Sequence, residues 1–196
     1  LTFFSPVKEP GRRLGEKAVV GLLGEMEQRG IRTHLGHKLT GFTADSVKTE
    51  GGDISSDLTI FIPGMTGPAW LENSHDLPLS EGGFIRGDNY CQVPGFEGRL
   101  YVAGDSGSFQ GPDWMPKQAH MADLQAAAAA KNLVASIQGQ PASHSFRVEL
   151  ICIVDTLDNG VLVYRDLKRN ILFKNYALHW SKRMFEWIYL HKYRRG

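Results

Sequence analysis

Cysteine is scarce in this chain: 196 residues contain only two, Cys91 and Cys152. Two cysteines cannot build a disulfide framework, although these two could pair if folding brought them together. No group of Cys and His residues has the spacing of a zinc site, and the seven histidines show no HExxH-like motif. We therefore expect neither a disulfide-rich scaffold nor a metal site.

Long apolar runs and an excess of one charge are also missing. No apolar stretch approaches the roughly 18–20 residues of a membrane-spanning helix. The net charge is +1, with 22 Lys and Arg against 21 Asp and Glu, and 42% of the residues are hydrophobic. This composition predicts a soluble globular protein and gives no reason to expect a nucleic-acid partner.

Residues 1–75 have the pattern of part of an α/β domain. The apolar stretch Leu1–Pro6 reads as a strand, and helical spacing of apolar residues follows over 14–30, where Gly30 is placed to end the helix. Several short runs that could form strands come next, separated by turn-forming Asp, Ser and Gly residues. The last of them, Leu58–Ile62, is apolar except for Thr59, as in a strand covered on both faces. The predicted order is strand, helix, strand, small meander, strand.

The stretch "YVAGD" (Tyr101–Asp105) reads as an apolar strand that ends in Gly-Asp, and a long alanine-rich helix follows over 117–139. Small residues at a strand end let a ligand approach, Asp105 can accept hydrogen bonds from hydroxyls, and the next helix offers N–H groups to an anion. Alternatively, Gly-Asp is only a turn that ends the strand.

Lys117 stands at the predicted start of this helix, where a cation opposes the helix dipole. Such a lysine either stabilises negative charge on a bound ligand or is an ordinary solvated surface residue. Pro116 before it fits the preference for proline in the first turn of a helix.

Cys152 lies in "VELICIVD", which is predicted to form a β-hairpin with "VLVYRD" through the Asn-Gly turn of "TLDNG". It is either a small buried hydrophobe or a redox thiol. A redox role needs a neighbour that lowers the thiol pKa, whereas the nearby Glu149 and Asp155 would raise it. Cys91, in a turn-rich segment, is interpreted as a spectator.

The C-terminal residues predict an amphipathic helix with Trp180, Met184, Trp187 and Ile188 on one stripe. It either packs on a core or lies in a membrane interface. Residues 180–196 contain five basic residues and one acidic residue, and this balance favours the interface.

The order of these stretches resembles the C-terminal portion of the sulfide:quinone oxidoreductase and flavocytochrome c sulfide dehydrogenase family, in the FAD-dependent pyridine nucleotide-disulfide oxidoreductase superfamily. "DLTIFIPGMTGPAWL" is similar to the strand and loop that close the family's NAD-like domain. "LYVAGD" and "MPKQAHMADLQAAAAAKNL" are similar to its flavin-contacting segments. "ELICIVDTLDNG" resembles the stretch that carries a redox cysteine, and "HWSKRMFEW" resembles the membrane-docking helices. The resemblance covers nearly the whole chain.

For the cofactor, the resemblance implies FAD contacts by five residues. Gly104 would permit close approach, Asp105 would hold the ribityl hydroxyls, and Lys117 would stabilise the reduced, anionic flavin. Pro116 and Gln118 would flank Lys117 at the flavin edge.

For the reaction, the resemblance implies that Cys152 is a redox cysteine that passes electrons from sulfide to the flavin. The quinone and the membrane would be contacted by one residue beside the cysteine and four in the last helix: Ile153, Trp180, Phe185, Trp187 and Ile188. The parent protein would be a peripheral membrane protein of prokaryotic type.

The resemblance divides the chain into three parts: the second half of an NAD(P)-like domain (1–75), the last segment of an FAD-binding domain (76–144) and a C-terminal domain (145–196). The family's GxGxxG fingerprint and partner cysteine do not occur here. We therefore expect a piece of a longer enzyme that neither holds FAD tightly nor turns over by itself. The expected fold class is α/β, with partial Rossmann-like domains and a small α+β tail.

Three other interpretations stay open. A type II NADH:quinone dehydrogenase shares the fold and the docking tail but needs no redox cysteine. A redox role for Cys152 would therefore favour the sulfide-oxidising family over this dehydrogenase. A ferredoxin- or disulfide-reductase-type flavoprotein fits the Trp-, Lys- and Arg-rich tail less well. The chain could also be a membrane-docking or dimerisation module without chemistry, and exposed edges of partial sheets would favour homo-oligomers.

Overall fold

The chain forms an α/β fold in the computed structural model, which describes residues 1–74, 76–155 and 159–194, the side chains of 192 and 193 excepted. It divides into two compact units. The first contains Leu1–Pro63, Cys152–Tyr164 and Asn170–Gly196, and the second contains Gly64–Ile151 and Arg165–Arg169.

The first unit opens with a β–α–β motif, as the sequence predicts. Strand β1 (Thr2–Ser5) and strand β2 (Arg32–Leu35) pair in parallel, and helix α1 (Glu16–Gln28) connects them. Gly30 has a φ of 65°, and the N–H of Ile31 bonds to the carbonyl of Met26 at 2.9 Å. The left-handed glycine therefore ends the helix where predicted.

An antiparallel meander follows, made of strands β3 (Leu39–Phe42), β4 (Ser46–Thr49) and β5 (Gly52–Ser55). The predicted strand over Leu58–Ile62 is wrong: no strand forms there, and Leu58, Ile60 and Ile62 are 77–85% exposed. Within the described residues, no neighbouring strand takes up the backbone hydrogen bonds of this run. Without a ladder, an apolar sequence alone does not make a strand.

The second unit contains strands β6 (Ile85–Gly87) and β7 (Gly107–Phe109), which pair in parallel, and helix α2 (Ala119–Ile137). The alanine-rich helix is confirmed, and Gly139, with a φ of 70°, ends it. Its buried stripe comprises Met121, Gln125, Ala128 and Asn132. Their spacing of four, three and four residues keeps them on one helix face.

The predicted strand ending in Gly-Asp is wrong in its position. Only Tyr101 forms a β-bridge, with Gln92, and strand β7 begins after the Gly-Asp rather than before it. Around the bridge, the N–H of Val102 donates to the carbonyl of Cys91 at 2.9 Å. The pairing ends there because Gly104, with a φ of 72°, turns the chain into a short 3-10 helix.

The C-terminal part contains strands β8 (Glu149–Asp155), β9 (Gly160–Asp166) and β10 (Asn170–Asn175) and helix α3 (Tyr176–Arg194). Strand β9 lies between the other two. The two predicted strands and the final helix are confirmed, whereas β10 was not predicted. The predicted Asn-Gly turn falls mostly on residues 156–158, outside the described residues.

Candidate functional site

Gly104 forms the turn at the centre of the predicted cofactor site. Its N–H donates to Oε1 of Gln125 at 2.8 Å. A Cβ at this position would lie 3.4 Å from Cβ of Ala122, and the φ of 72° disfavours any L side chain. The turn therefore requires glycine, and it brings the backbone close to the first turns of helix α2.

Lys117 is held by the same turn. Its Nζ donates to the carbonyl oxygens of Asp105 at 2.8 Å and Gly107 at 2.6 Å, and it lies 3.9 Å from the centre of the Phe84 ring. The two carbonyls and the ring fix the position of the ammonium group. The solvated-lysine alternative does not describe this residue.

The prediction that Pro116 and Lys117 open the helix is wrong. Helix α2 begins at Ala119, and Gln118 is its N-cap, with an extended backbone (φ −142°, ψ 152°). The carbonyl of Gln118 accepts the first helical hydrogen bond, from Ala122 at 3.0 Å. Lys117 thus binds the preceding turn instead of opposing the helix dipole.

A cavity of about 160 Å³ lies at this turn, and all five residues predicted to contact the cofactor line it. They are Gly104, Asp105, Pro116, Lys117 and Gln118. Oε1 of Gln118 is buried without a hydrogen-bond partner. An unsatisfied buried acceptor is costly, so a ligand hydroxyl or N–H would stabilise it.

The residues present fit part of FAD. The glycine turn permits close approach, the ordered ammonium group can stabilise negative charge, and Gln118 offers an acceptor to a hydroxyl or ring N–H. A cavity of about 160 Å³ takes only one portion of so large a cofactor. The remaining contacts would have to come from residues outside this cavity.

Cys152 is a free, half-buried thiol in strand β8. Burial raises its pKa, and the positive charge of Lys182 on helix α3 acts in the opposite direction. The sequence prediction named Glu149 and Asp155 as the neighbouring charges that matter. The charge found to act on the thiol is instead a lysine 30 positions further along the chain, which folding brings near.

Cys91 is also a free thiol, fully buried, with a φ of 64°. Its Sγ donates to the carbonyl of Gln125 at 3.4 Å. Burial, followed by the charge of Asp88, raises the pKa of this thiol to about 12. A thiol held protonated in this way is a poor nucleophile, as its interpretation as a spectator requires.

The residues predicted to meet quinone and membrane lie on β8 and α3. Ile153 is half-buried, whereas Trp180, Phe185, Trp187 and Ile188 are each at least half exposed. Among the described residues, no helix is both long and apolar enough to cross a membrane. Two of the five basic positions predicted there lie outside the described part: Arg195 and the side chain of Lys192.

Two buried amides on helix α2 were not predicted. Gln125 accepts a hydrogen bond from the Gly104 turn. Asn132, which is 0% exposed, forms hydrogen bonds with two segments of chain, at residue 90 and at residues 143–144. Its Nδ2 donates to the carbonyls of Tyr90 and His144, and its Oδ1 accepts from the N–H groups of Ser143 and His144. The sequence does carry a signal, because both amides fall on the stripe with Met121 and Ala128.

A buried carboxylate was also missed. Glu149, whose side chain is 2% exposed, lies 2.7 Å from Nε2 of His120 and 2.6 Å from Nη2 of Arg147. Burial raises the pKa of Glu149, but Arg147 and His120 outweigh this and hold the pKa below its usual value. The cluster connects the first residue of β8 to the first turn of α2.

No group of three or more potential metal ligands occurs in the part of the chain that the structure describes.

The resemblance stated from the motifs is confirmed at the level of the fold, which this chain shares with solved structures of oxidoreductases. The chain is similar to the sulfide:quinone oxidoreductase of the hyperthermophilic bacterium Aquifex aeolicus, with a TM-score of 0.86 and 21% identity. The match covers 100% of this chain and 50% of that one, so the chain spans about half the length of this solved structure.

Other solved structures share the fold. An FAD-dependent pyridine nucleotide-disulphide oxidoreductase from Desulfovibrio vulgaris matches 84% of this chain and 42% of its own, with a TM-score of 0.57 and 19% identity. The water-forming NADH oxidase of Lactobacillus brevis matches 84% and 37%, with a TM-score of 0.64 and 16% identity. No protein-family model and no curated protein sequence matches the chain.

Proposed function

We propose that this chain is the C-terminal part of an FAD-dependent oxidoreductase that passes electrons from sulfide, through Cys152 and the flavin, to a quinone. The observation that carries the proposal is the fold match over the entire chain with a sulfide:quinone oxidoreductase. The order of motifs adds to it. In this proposal the three parts are 1–75, 76–144 and 145–196, as the sequence predicts.

The cavity at Gly104 is the proposed point of contact with FAD, which when bound would supply the two-electron chemistry. Gly104 would admit the cofactor to the backbone, Asp105 would accept hydrogen bonds from its hydroxyls, and Lys117 would stabilise negative charge that develops on reduction. Pro116 and Gln118 would complete the contact, and the buried Oε1 of Gln118 would gain a donor.

Cys152 is the proposed entry point for electrons. Oxidation of hydrosulfide to zero-valent sulfur releases two electrons and one proton, and reduction of quinone to quinol consumes two electrons and two protons. The thiol would act together with a second cysteine outside this chain. Lys182 would favour the thiolate form whenever the cysteine pair is reduced, because its charge lowers the thiol pKa.

Helix α3 is the proposed docking element. Its exposed aromatic and aliphatic residues, with Ile153 on β8, would contact quinone, and its basic residues would meet anionic lipid headgroups. The parent protein would then be peripheral to the membrane.

An NADH:quinone dehydrogenase is the second candidate, and one observation favours it. Burial raises the pKa of Cys152, as expected for a cysteine that only fills space. In that enzyme the fold and the flavin contacts would be unchanged, and Cys152 would be dispensable.

Anaerobic turnover by the full-length protein separates these candidates. We expect decylubiquinone reduction when sulfide is the donor and none with NADH, together with loss of bound FAD in Lys117→Met. Quinone reduction by NADH but not by sulfide would support the dehydrogenase. Absence of FAD from the purified full-length protein would contradict both.

A further inference from the structure

Asp155 and His179 form a hydrogen-bonded pair near the proposed quinone surface. Nδ1 of His179, on helix α3, lies 3.1 Å from Oδ1 and 3.2 Å from Oδ2 of Asp155, on strand β8. Their side chains are only 20% and 23% exposed. The pair is therefore ordered and shielded, yet water can still reach it.

The carboxylate fixes the tautomer of the imidazole. An ionised carboxylate can only accept hydrogen bonds, so Nδ1 of His179 must be the donor. In the neutral ring, Nε2 then carries the lone pair and can take up a proton. The geometry is that of a histidine oriented by an acid for proton transfer through its other nitrogen.

The pair adjoins a residue from each of the two parts of the proposed quinone surface. Ile153 precedes Asp155 by two positions in β8, so strand alternation places both side chains on one face of the sheet. On α3, the ring of His179 packs edge-to-face on Trp180, with 5.6 Å between ring centres. Ile153 and Trp180 are residues proposed above to contact quinone.

We propose that His179, oriented by Asp155, donates a proton to the quinone as it is reduced; this inference rests on the function proposed above. Quinol formation needs two electrons and two protons. A bound, reduced flavin would supply the electrons and one proton, and the imidazolium of His179 gives the other proton from Nε2 to a quinone oxygen. Water then reprotonates Nε2. Asp155 is a positioning residue, because it acts through His179.

Other titratable or charged groups lie on the same elements: Glu149 and Cys152 on β8, Tyr164, Arg165 and Asp166 on β9, Lys174 on β10, and Tyr176, Lys182, Arg183, Glu186, Tyr189, His191 and Arg194 on α3. Lys174 is paired with Glu25, and Lys182 acts on Cys152. Asp155 is the carboxylate that contacts the His179 ring directly. Proton donation is therefore assigned to His179, the ring that Asp155 orients.

The oxidative half-reaction tests this role independently of the electron donor. The full-length holoenzyme is reduced anaerobically with one equivalent of dithionite and mixed with decylubiquinone at several pH values. For the wild type, we expect flavin reoxidation to slow as the pH rises, because a donor that has lost its proton cannot supply quinol formation. His179→Gln should lower the rate about 10²-fold and flatten this profile.

Asp155→Asn provides a second test that does not depend on turnover. A carboxamide can donate as well as accept, so it no longer fixes the tautomer. In ¹⁵N-histidine NMR of the full-length protein, the wild type should show His179 protonated at Nδ1, and the variant should lose that signature. His37→Gln is the control; the centre of its ring lies 4.7 Å from that of His34, and it is outside the proposed site.

The outcomes are distinct. Unchanged reoxidation rates in both variants, or a wild-type rate that does not depend on pH, would overturn the role of His179. If the proposed function itself is wrong, a different measurement reveals it: sulfide does not reduce the flavin. A variant that has misfolded is recognised by its flavin content and thermal midpoint. The role of His179 is then judged from the variant that folds.

Discussion

Replacing Asn132 by leucine should release two segments of chain from helix α2. Asn132 is 0% exposed and makes four hydrogen bonds of 2.8–3.1 Å to backbone groups of Tyr90, Ser143 and His144. Leucine has a similar volume but can make none of them. At a net value of about 1 kcal/mol for each bond, the loss is about 3–5 kcal/mol.

Amide hydrogen exchange in the full-length protein measures this loss where it occurs. The N–H groups of Ser143 and His144 donate to Oδ1 of Asn132, so their exchange in Asn132→Leu should be at least about 10²-fold faster. Leu133→Ala is the control, because Leu133 is the next residue of the same helix and is 44% exposed. Exchange at residues 143 and 144 that stays within threefold of the wild type would refute this reasoning.

Three further predictions concern the thiols, the buried acid and the glycine turn. Iodoacetamide at pH 8 should modify Cys152 well before Cys91, since Cys91 is fully buried and its pKa is raised to about 12; mass spectrometry that finds equal labelling would count against this. The pKa of Glu149 is lowered in the folded state, so its ion pairs should stabilise the protein above its usual pKa of 4.5. That stability should be lost as the pH falls through the lowered value, and Glu149→Gln should show a smaller loss in acid titrations followed by circular dichroism. Gly104→Val should reduce bound FAD in the purified full-length protein, because a φ of 72° is strained for valine and would distort the turn; normal flavin content would mean that the turn does not contact FAD.

Local patterns predicted the helices well. Helical spacing located α1 and α3, and the alanine run Ala126–Ala130 located α2, whose end was marked by Gly139. These signals work because a helix makes its hydrogen bonds within its own sequence. Strands need partners elsewhere, which is why Leu58–Ile62 was predicted as a strand and is not one.

The candidate site was predicted in composition but not in geometry. The five residues predicted to contact the cofactor line one cavity, yet the contact of Lys117 with two carbonyls depends on a turn that no local pattern specifies. The pair of Asp155 and His179 joins residues 24 positions apart. Sequence reasoning identified the residue types, whereas folding decided which of them meet.

Stopped-flow measurement of flavin reduction tests the central proposal most directly. The full-length protein, as wild type and as Cys152→Ser, is mixed anaerobically with sulfide and separately with NADH, with Cys91→Ser as the control. We predict that sulfide bleaches the flavin of the wild type and of the control, that Cys152→Ser abolishes this, and that NADH reduces none of them. Equal reduction of all three proteins by NADH, with no response to sulfide, would contradict the account and leave Cys152 as a packing residue.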